Sequence, residues 1–142
     1  MKKLEALLRA HPDLPVGLIH MGQLQAPEVA RLIGDHPNVF FLASHANPIT
    51  LLLDKQPWSN MFERTRLAPD WERLVLAHPA RFVLAFDNVF PMHWGSPYLE
   101  AVALWRRALK QLPEKVAHQI AHGNAERLWR LPPAKPVSGF PP

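Results

Sequence analysis

The chain of 142 residues is 48% hydrophobic and 20% charged, has a formal net charge of +4 and lacks cysteine. The lack of cysteine excludes disulfides and thiolate metal sites. No apolar run approaches the roughly 18 residues that a membrane span needs. The chain is also too short for a complete eight-stranded α/β barrel, which needs about 250 residues. Because the Lys and Arg residues are scattered and form no basic stripe, we expect no binding to nucleic acid. The lack of cysteine is compatible with a reducing compartment, so we expect a cytoplasmic protein of one domain that does not bind a membrane.

The first predicted element is an amphipathic helix near the N-terminus, in which leucines recur among charged residues at helical spacing. After it the chain repeats one unit three times: a His-Pro pair followed by a short apolar run. The pairs begin at His11, His36 and His78, and the runs span residues 16–19, 39–43 and 82–86. Runs that are apolar on both faces are typical of strands buried on both sides of a parallel sheet. Each proline ends the preceding helix, so each unit predicts a helix, a turn and a buried strand.

A titratable residue lies nine positions after each of these histidines, at the end of the apolar run: His20, His45 and Asp87. The carboxyl ends of parallel strands lie on one side of an α/β sheet, where ligands bind, so we expect the three side chains to converge. Imidazole and carboxylate are ligands of zinc and similar ions, which makes all three candidate metal ligands. The alternative is that each is a hydrogen-bonded structural residue at a strand end. The histidines before the strands are predicted to have turn or helix-end roles.

Two long connections follow strand ends, over residues 46–69 and 88–96. Loops at this position commonly form substrate pockets, and aromatic and Met side chains suit an apolar pocket wall. The first connection contains Trp58, Asn60, Met61, Phe62 and Arg64, and the second contains Asn88, Phe90, Met92, His93 and Trp94. We expect substrate contacts from Asn88, His93 and Trp94.

The remaining elements are helices. We predict one that begins at Pro27, one over residues 71–77 capped by Asp70, the longest from Ser96-Pro97, one from Pro113 that ends at Gly123, and a last one over residues 125–131 capped by Asn124. His118 and His122 have the helical spacing of four, but no acidic residue of a metalloprotease helix lies between them, so they are predicted to be surface or helix-end residues. Residues 132–142 are rich in proline and are predicted to form an extended tail with little structure.

Two stretches resemble the end of proteins in the amidohydrolase superfamily, in its decarboxylase- and lactonase-like branch. They are HPARFVLAFDNVFP (residues 78–91) and residues 98–131, within which GNAERL (residues 123–128) is the most specific motif. The likeness extends back through residues 37–41 and 18–22. It implies an α/β fold over residues 1–131: the C-terminal half of a TIM-type (β/α) barrel, with parallel strands and C-terminal helices. The strands would be barrel strands five, six and eight, with strand seven in the intervening stretch or represented by residues 81–86 under a shifted count.

The resemblance also implies an activity, that of a metal-dependent hydrolase or related carboxy-lyase acting on a small carbonyl-containing substrate. By this likeness His20 is a metal ligand, His45 is a second ligand or positions the attacking water, and Asp87 is both ligand and proton acceptor. The implied cofactor is a divalent ion, with zinc expected.

The chain departs from the family pattern at three places, one of which is the absence of the strand-four ligand used by some members. Ala85-Phe86 stands where the family usually has Gly-Ser, and the opening His-x-His pair of the first barrel strand has no counterpart. The site is therefore expected to be incomplete without an N-terminal half, and we expect self-association or a complementary N-terminal half as partner, since a half-barrel exposes sheet edges. The alternative is a non-catalytic half-barrel that acts as a binding or assembly partner.

Overall fold

Helices alternate with short strands through most of the computed structural model, which describes residues 1–47 and 59–133. The helices are α1 (Lys2–Ala10), α2 (Ala26–Asp35), α3 (Pro69–Ala77), α4 (Ser96–Leu109), α5 (Glu114–His118) and α6 (Asn124–Trp129). The strands are β1 (Val16–Leu18), β2 (Val39–Leu42), β3 (Phe62–Glu63), β4 (Arg66–Leu67) and β5 (Phe82–Val83). No helix in the described ranges is long and apolar enough to cross a lipid bilayer. The Pro-rich tail from residue 134 onward, and Trp58 of the first long connection, lie outside the described residues.

The three strands predicted from the His-Pro repeats form one parallel sheet in the order β1-β2-β5. Val16 pairs with Val39 in the first pair of strands, and Phe41 pairs with Phe82 in the second. Because β2 pairs directly with β5, the alternative that places barrel strand seven between them is wrong, and the alternative in which residues 81–86 represent it agrees with the observed pairing. The described residues form this open sheet with helices around it, a mixed α/β arrangement consistent with part of a barrel.

The described part of the connection between β2 and β5 contains a small antiparallel hairpin, β3-β4. Met61 and Phe62 are only 1% and 6% exposed and belong to the hydrophobic core. The Phe62 ring packs edge-to-face against Trp105 of α4, with the ring centroids 4.8 Å apart. The prediction that these two side chains line a substrate pocket is therefore wrong, because helix α4 covers the hairpin and buries them. Asn60 instead hydrogen-bonds the backbone of Phe62, and Arg64 is exposed at the hairpin turn.

Strand β2 lies at the centre of the core. Val39 and Phe41 are fully buried, and the Phe41 ring stacks on Phe82 of the neighbouring strand at a centroid distance of 6.2 Å. Buried side chains of the surrounding helices complete the core, among them Val29, Leu32, Trp71, Val75 and Trp105. The apolar repeats of the sequence thus become the central layer of the fold, as predicted.

Replacing Phe41 with alanine is expected to lower the free energy of unfolding by about 3–5 kcal/mol, because the cavity left at the sheet centre cannot collapse fully. Urea unfolding measures this difference. Leu99→Ala is the control: this side chain is 66% exposed, so its loss should change stability by less than about 0.5 kcal/mol. Equal midpoints for the two variants would contradict the placement of Phe41 in the core.

The helix ends agree with the prediction for the His-Pro histidines and differ elsewhere. His11, His36 and His78 end α1, α2 and α3, and their backbone N–H groups donate to carbonyls one turn earlier, as expected for helix-end residues. The predicted cap at Asp70 is wrong: Ala68 precedes α3 and Pro69 occupies its first turn. Proline at this position needs no N–H partner and has the helical φ already, which sets the start of the helix.

The predicted break between the last two helices is also wrong. Gly123 and Asn124 both have helical φ and ψ, and residues Gln119–Gly123 form a π-turn that joins α5 to α6 without interruption. Asn124 is 1% exposed, and its amide nitrogen donates 2.7 Å hydrogen bonds to the carbonyls of Pro79 and Phe82. The carbonyl of Ile120 in the π-turn accepts a bond from the N–H of Leu84. The C-terminal helices therefore cover the free edge of β5.

Candidate metal centre

The two candidate histidines lie in tight left-handed turns directly after their strands. His20 has a φ of 54°, and the next three residues also have positive φ; His45 has a φ of 53°. Residues other than glycine seldom adopt this conformation, and it persists where surrounding structure imposes it, often at functional sites. These turns end β1 and β2 sooner than the apolar runs predict, and they place both imidazoles at the carboxyl edge of the sheet.

The three candidate ligands lie together at this edge. The Nε2 atom of His20 is 3.5 Å from Oδ2 of Asp87, and Nδ1 of His45 is 3.6 Å from the same oxygen. The two imidazole rings are stacked, with centroids 5.3 Å apart. Among the described residues this is the group whose ligand atoms all lie within 4.8 Å of one another. Ligands that bind a tetrahedral ion at about 2.1 Å lie about 3.4 Å apart, so the donor set and its spacing fit a divalent ion.

Ser44 orients the His20 ring, and no sequence pattern singles this residue out beyond its position before His45. The Ser44 carbonyl oxygen lies 3.1 Å from Nδ1 of His20, and the Ser44 hydroxyl accepts a bond from the His20 backbone N–H. The Ser44 hydroxyl oxygen is also 3.1 Å from Nδ1, and since a carbonyl can only accept, the pair of contacts favours the tautomer in which Nδ1 carries the proton and donates to Ser44. That tautomer directs the Nε2 lone pair towards Asp87, which is how outer partners commonly prepare a histidine ligand.

Burial lowers the pKa of His45, and the positive charges that His20 and His93 can carry lower it further, while Asp87 opposes both effects. A pKa below the usual value of about 6.5 leaves the His45 ring neutral at pH 7. Neutral imidazole is the form that binds a metal, so protons compete for this nitrogen only under acidic conditions.

Changing Ser44 to alanine is expected to weaken divalent-metal affinity about tenfold, because loss of an outer partner of a histidine ligand typically costs about 10–100-fold and the backbone carbonyl remains. Titration with Zn²⁺ against a chromophoric chelator measures the affinity. Ser96→Ala, at an exposed helix start far along the chain, is the matched control and should bind like the parent protein. A variant at Ser44 that retains full affinity would exclude this positioning role.

The predicted substrate-contacting residues lie on the loop after β5. The His93 ring packs edge-to-face against His45, at a centroid distance of 6.2 Å, and against Phe90 at 5.2 Å. The Trp94 side chain is 66% exposed and its ring lies beside Tyr98, while Asn88 is half-buried directly after Asp87. The structure thus places His93 beside the candidate ligand His45 and leaves Trp94 open at the surface.

Two other features of the sequence have a structural explanation. Phe86 stands where a small residue was expected. Its ring packs edge-to-face against Tyr98 in the first turn of α4, with the ring centroids 5.3 Å apart. His118 and His122 lie with their ring centroids 4.0 Å apart, and Nδ1 of His122 is 2.8 Å from the Glu126 carboxylate. His118 is exposed, as expected for a surface residue.

The sequence of this chain was compared with protein families, curated proteins and solved structures. A sequence model described as amidohydrolase matches residues 2–131. Searches of curated proteins and of solved structures gave no match. The matched range includes the whole parallel sheet, the three candidate ligands and all six helices. The chain therefore belongs to the amidohydrolase family.

Proposed function

We propose that the protein is a metal-dependent hydrolase, or a related carboxy-lyase, that acts on a small molecule containing a carbonyl group. The observation that supports this most is the convergence of His20, His45 and Asp87 from three separate strand ends. Their ligand atoms have the spacing and chemistry of a divalent-metal site, and the chain belongs to a family whose members usually bind such an ion. Zinc is the ion that we propose.

In this proposal His20, His45 and Asp87 hold the ion. A divalent ion at this place polarises a carbonyl group and lowers the pKa of a nearby water. The Asp87 carboxylate is 31% exposed, so it can accept the proton of an attacking water while it faces both imidazoles. His45 is kept neutral by burial and is the second candidate for this proton.

The loop after β5 would bind the substrate. The His93 ring packs against His45, and its Nδ1 atom is buried without a hydrogen-bond partner among the described residues. A buried donor or acceptor without a partner is unfavourable, so a polar group of a substrate would stabilise it. Asn88 and Trp94 would provide an amide and an aromatic surface at the rim of the same loop.

A second function is favoured by a different observation. The loop after β5 and the start of α4 expose a group of large apolar side chains, each more than half exposed: Val89, Phe90, Met92, Trp94 and Leu99. Such a group typically marks an interaction site. The chain would then act as a non-catalytic binding or assembly half-barrel, with a second copy or a complementary N-terminal half as its partner.

Metal content of the purified chain tests the first function. Elemental mass spectrometry should find about one zinc ion per chain, and His20→Ala should lose it because a ligand is removed. His11→Ala is the matched control, since His11 is an exposed residue at a helix end, and it should retain the ion. Metal at the same level in all three proteins, or in none, would contradict the proposed centre.

Measurements of catalytic turnover and of the protein's mass in solution distinguish the two proposed functions. The metal-loaded chain is tested with simple lactones, amides and carboxylic acids, with release of acid or CO₂ as the signal. Sedimentation reports its mass alone and mixed with the N-terminal part of a related barrel. Turnover supports the enzyme, whereas complex formation without turnover supports the assembly function. A monomer that forms no complex contradicts the assembly function.

A further inference from the structure

A second cluster of polar groups lies at the end of the sheet opposite to the metal centre. A cleft of about 220 Å³ is present where β1, β2 and β5 begin. Its walls come from the turns before these strands and from α6, and they include Arg81 and Arg127, with Asp13, Asn38 and Phe40 beside them. The candidate metal ligands stand at the carboxyl ends of the same strands, so the two places are separate.

Backbone carbonyls hold both arginines at the wall of the cleft. One terminal nitrogen of Arg81 donates to the carbonyl of Pro37 and, at 3.4 Å, to that of Val39. One terminal nitrogen of Arg127 donates to the carbonyl of Ala80 at 3.1 Å. A guanidinium has five N–H donors, and these bonds use one nitrogen of each group. Both guanidinium groups are thus held in place, and the N–H groups of their other nitrogens can donate to a ligand.

The charges of the two arginines are not balanced by carboxylates of the described residues. Neither guanidinium forms an ion pair within 4.0 Å in this part of the chain. Burial lowers the pKa of Arg81, and the charge of Arg127, which lines the same cleft, lowers it further. Asp13 lines the cleft but is exposed and pairs with neither arginine.

We propose that this cleft binds a small oxyanion, a phosphate or a carboxylate, between Arg81 and Arg127. Guanidinium groups bind such anions through parallel pairs of N–H bonds, and an anion here would remove the repulsion between the two cations. The volume exceeds that of several water molecules, each of which occupies about 30 Å³ in the liquid, so the anion fits. The anion is either a free ion or a carboxylate from another polypeptide, such as a second copy of this chain.

Thermal unfolding in phosphate, compared with chloride at the same ionic strength, tests the site. At a phosphate concentration a hundredfold above Kd, the Tm of the parent protein is expected to rise by about 5 °C or more over chloride. Arg127→Gln should lose this rise, since it removes one of the two cations. Arg127 is exposed, so the change should leave the fold intact. Arg130→Gln removes the same charge three residues away, outside the cleft, and should keep it. An equal rise in Arg127→Gln, or no rise over chloride in the parent protein, would overturn the proposal.

Two further variants sharpen the result. His20→Ala should show the full phosphate effect, and loss of the effect there would place the phosphate at the metal centre and overturn the proposal. Asp13→Asn should lower the phosphate concentration needed for half the effect by about threefold, because it removes a like charge from the wall of the cleft. A higher requirement would contradict the position assigned to the anion.

The mass of the protein in solution distinguishes the two sources of the anion. If the site takes a free ion, sedimentation should give the same mass with and without phosphate. If a carboxylate of a second copy occupies the site, phosphate should compete with it and convert dimers to monomers. Because an unchanged mass is also expected without binding, this assignment applies once the rise in Tm and its loss in Arg127→Gln have been found.

Discussion

Replacing Asp87 with asparagine is expected to weaken the binding of Zn²⁺ by about a hundredfold or more. Even loss of an outer partner of a metal ligand costs about 10–100-fold, and this change removes the negative ligand that faces both imidazoles. Asparagine has the same shape, so the fold should persist and the Tm of the metal-free protein should change little. Titration with Zn²⁺ against a chromophoric chelator measures the affinity, and any hydrolytic turnover should fall in parallel.

Asp70→Asn is the matched control for this change. Asp70 lies in the first turn of α3, and its carboxylate is exposed and paired with Arg73. Its loss removes the same charge from the chain without touching the strand ends, so metal affinity should remain within about twofold of the parent value. If Asp87→Asn binds Zn²⁺ as tightly as this control, Asp87 is not a ligand and the metal centre proposed here is wrong.

Asn124→Ala is expected to lower the free energy of unfolding by about 2–4 kcal/mol. The variant leaves the carbonyls of Pro79 and Phe82 buried without their donor. Alanine is the better helix former by about half a kcal/mol, so helix propensity alone would raise stability. A fall in stability would therefore report the lost hydrogen bonds between α6 and the start of β5. Urea unfolding with an unchanged slope measures it.

Gln111→Ala is the control for Asn124→Ala, because it removes the same number of hydrogen bonds from an exposed position instead of a buried one. The Gln111 amide also donates to two carbonyls, those of Thr65 and Arg107, but it is exposed to water. Water replaces the lost donor there, so the cost should be less than about 1 kcal/mol. Asn124→Asp should be less stable than Asn124→Ala, because it places a charge at a position that is 1% exposed. Equal unfolding midpoints for Asn124→Ala and Gln111→Ala would contradict the role assigned to Asn124.

Asn124 also gives a physical reason for the most specific motif of the sequence. GNAERL resembles the family pattern, and from sequence we assigned its Asn to a helix cap. The structure instead buries this amide between α6 and the strand that leads to Asp87. Arg127 of the same motif holds the carbonyl of Ala80. The motif thus fixes the strand that carries the candidate ligand.

The sequence alone determined the parallel strands, most helices and the three converging positions. A strand buried on both faces must be apolar at successive positions, and the ends of parallel strands must share one edge, so the pattern of residues 16–20, 39–45 and 82–87 contains this information. Helix starts at proline and helix ends at His-Pro follow from local backbone chemistry in the same way.

Only the tertiary structure decided how non-neighbouring segments meet. From sequence we predicted that Met61 and Phe62 line a pocket, but α4 packs over the hairpin and both side chains belong to the hydrophobic core. Gly123 resembles a helix end, but packing of Ile120 and Asn124 against β5 favours a continuous π-turn. Ser44 orients His20 from 24 positions away, and Arg81 and Arg127 line the same cleft although they are 46 positions apart. These contacts depend on three-dimensional packing, whose free energy exceeds the small local preferences that a sequence pattern reveals.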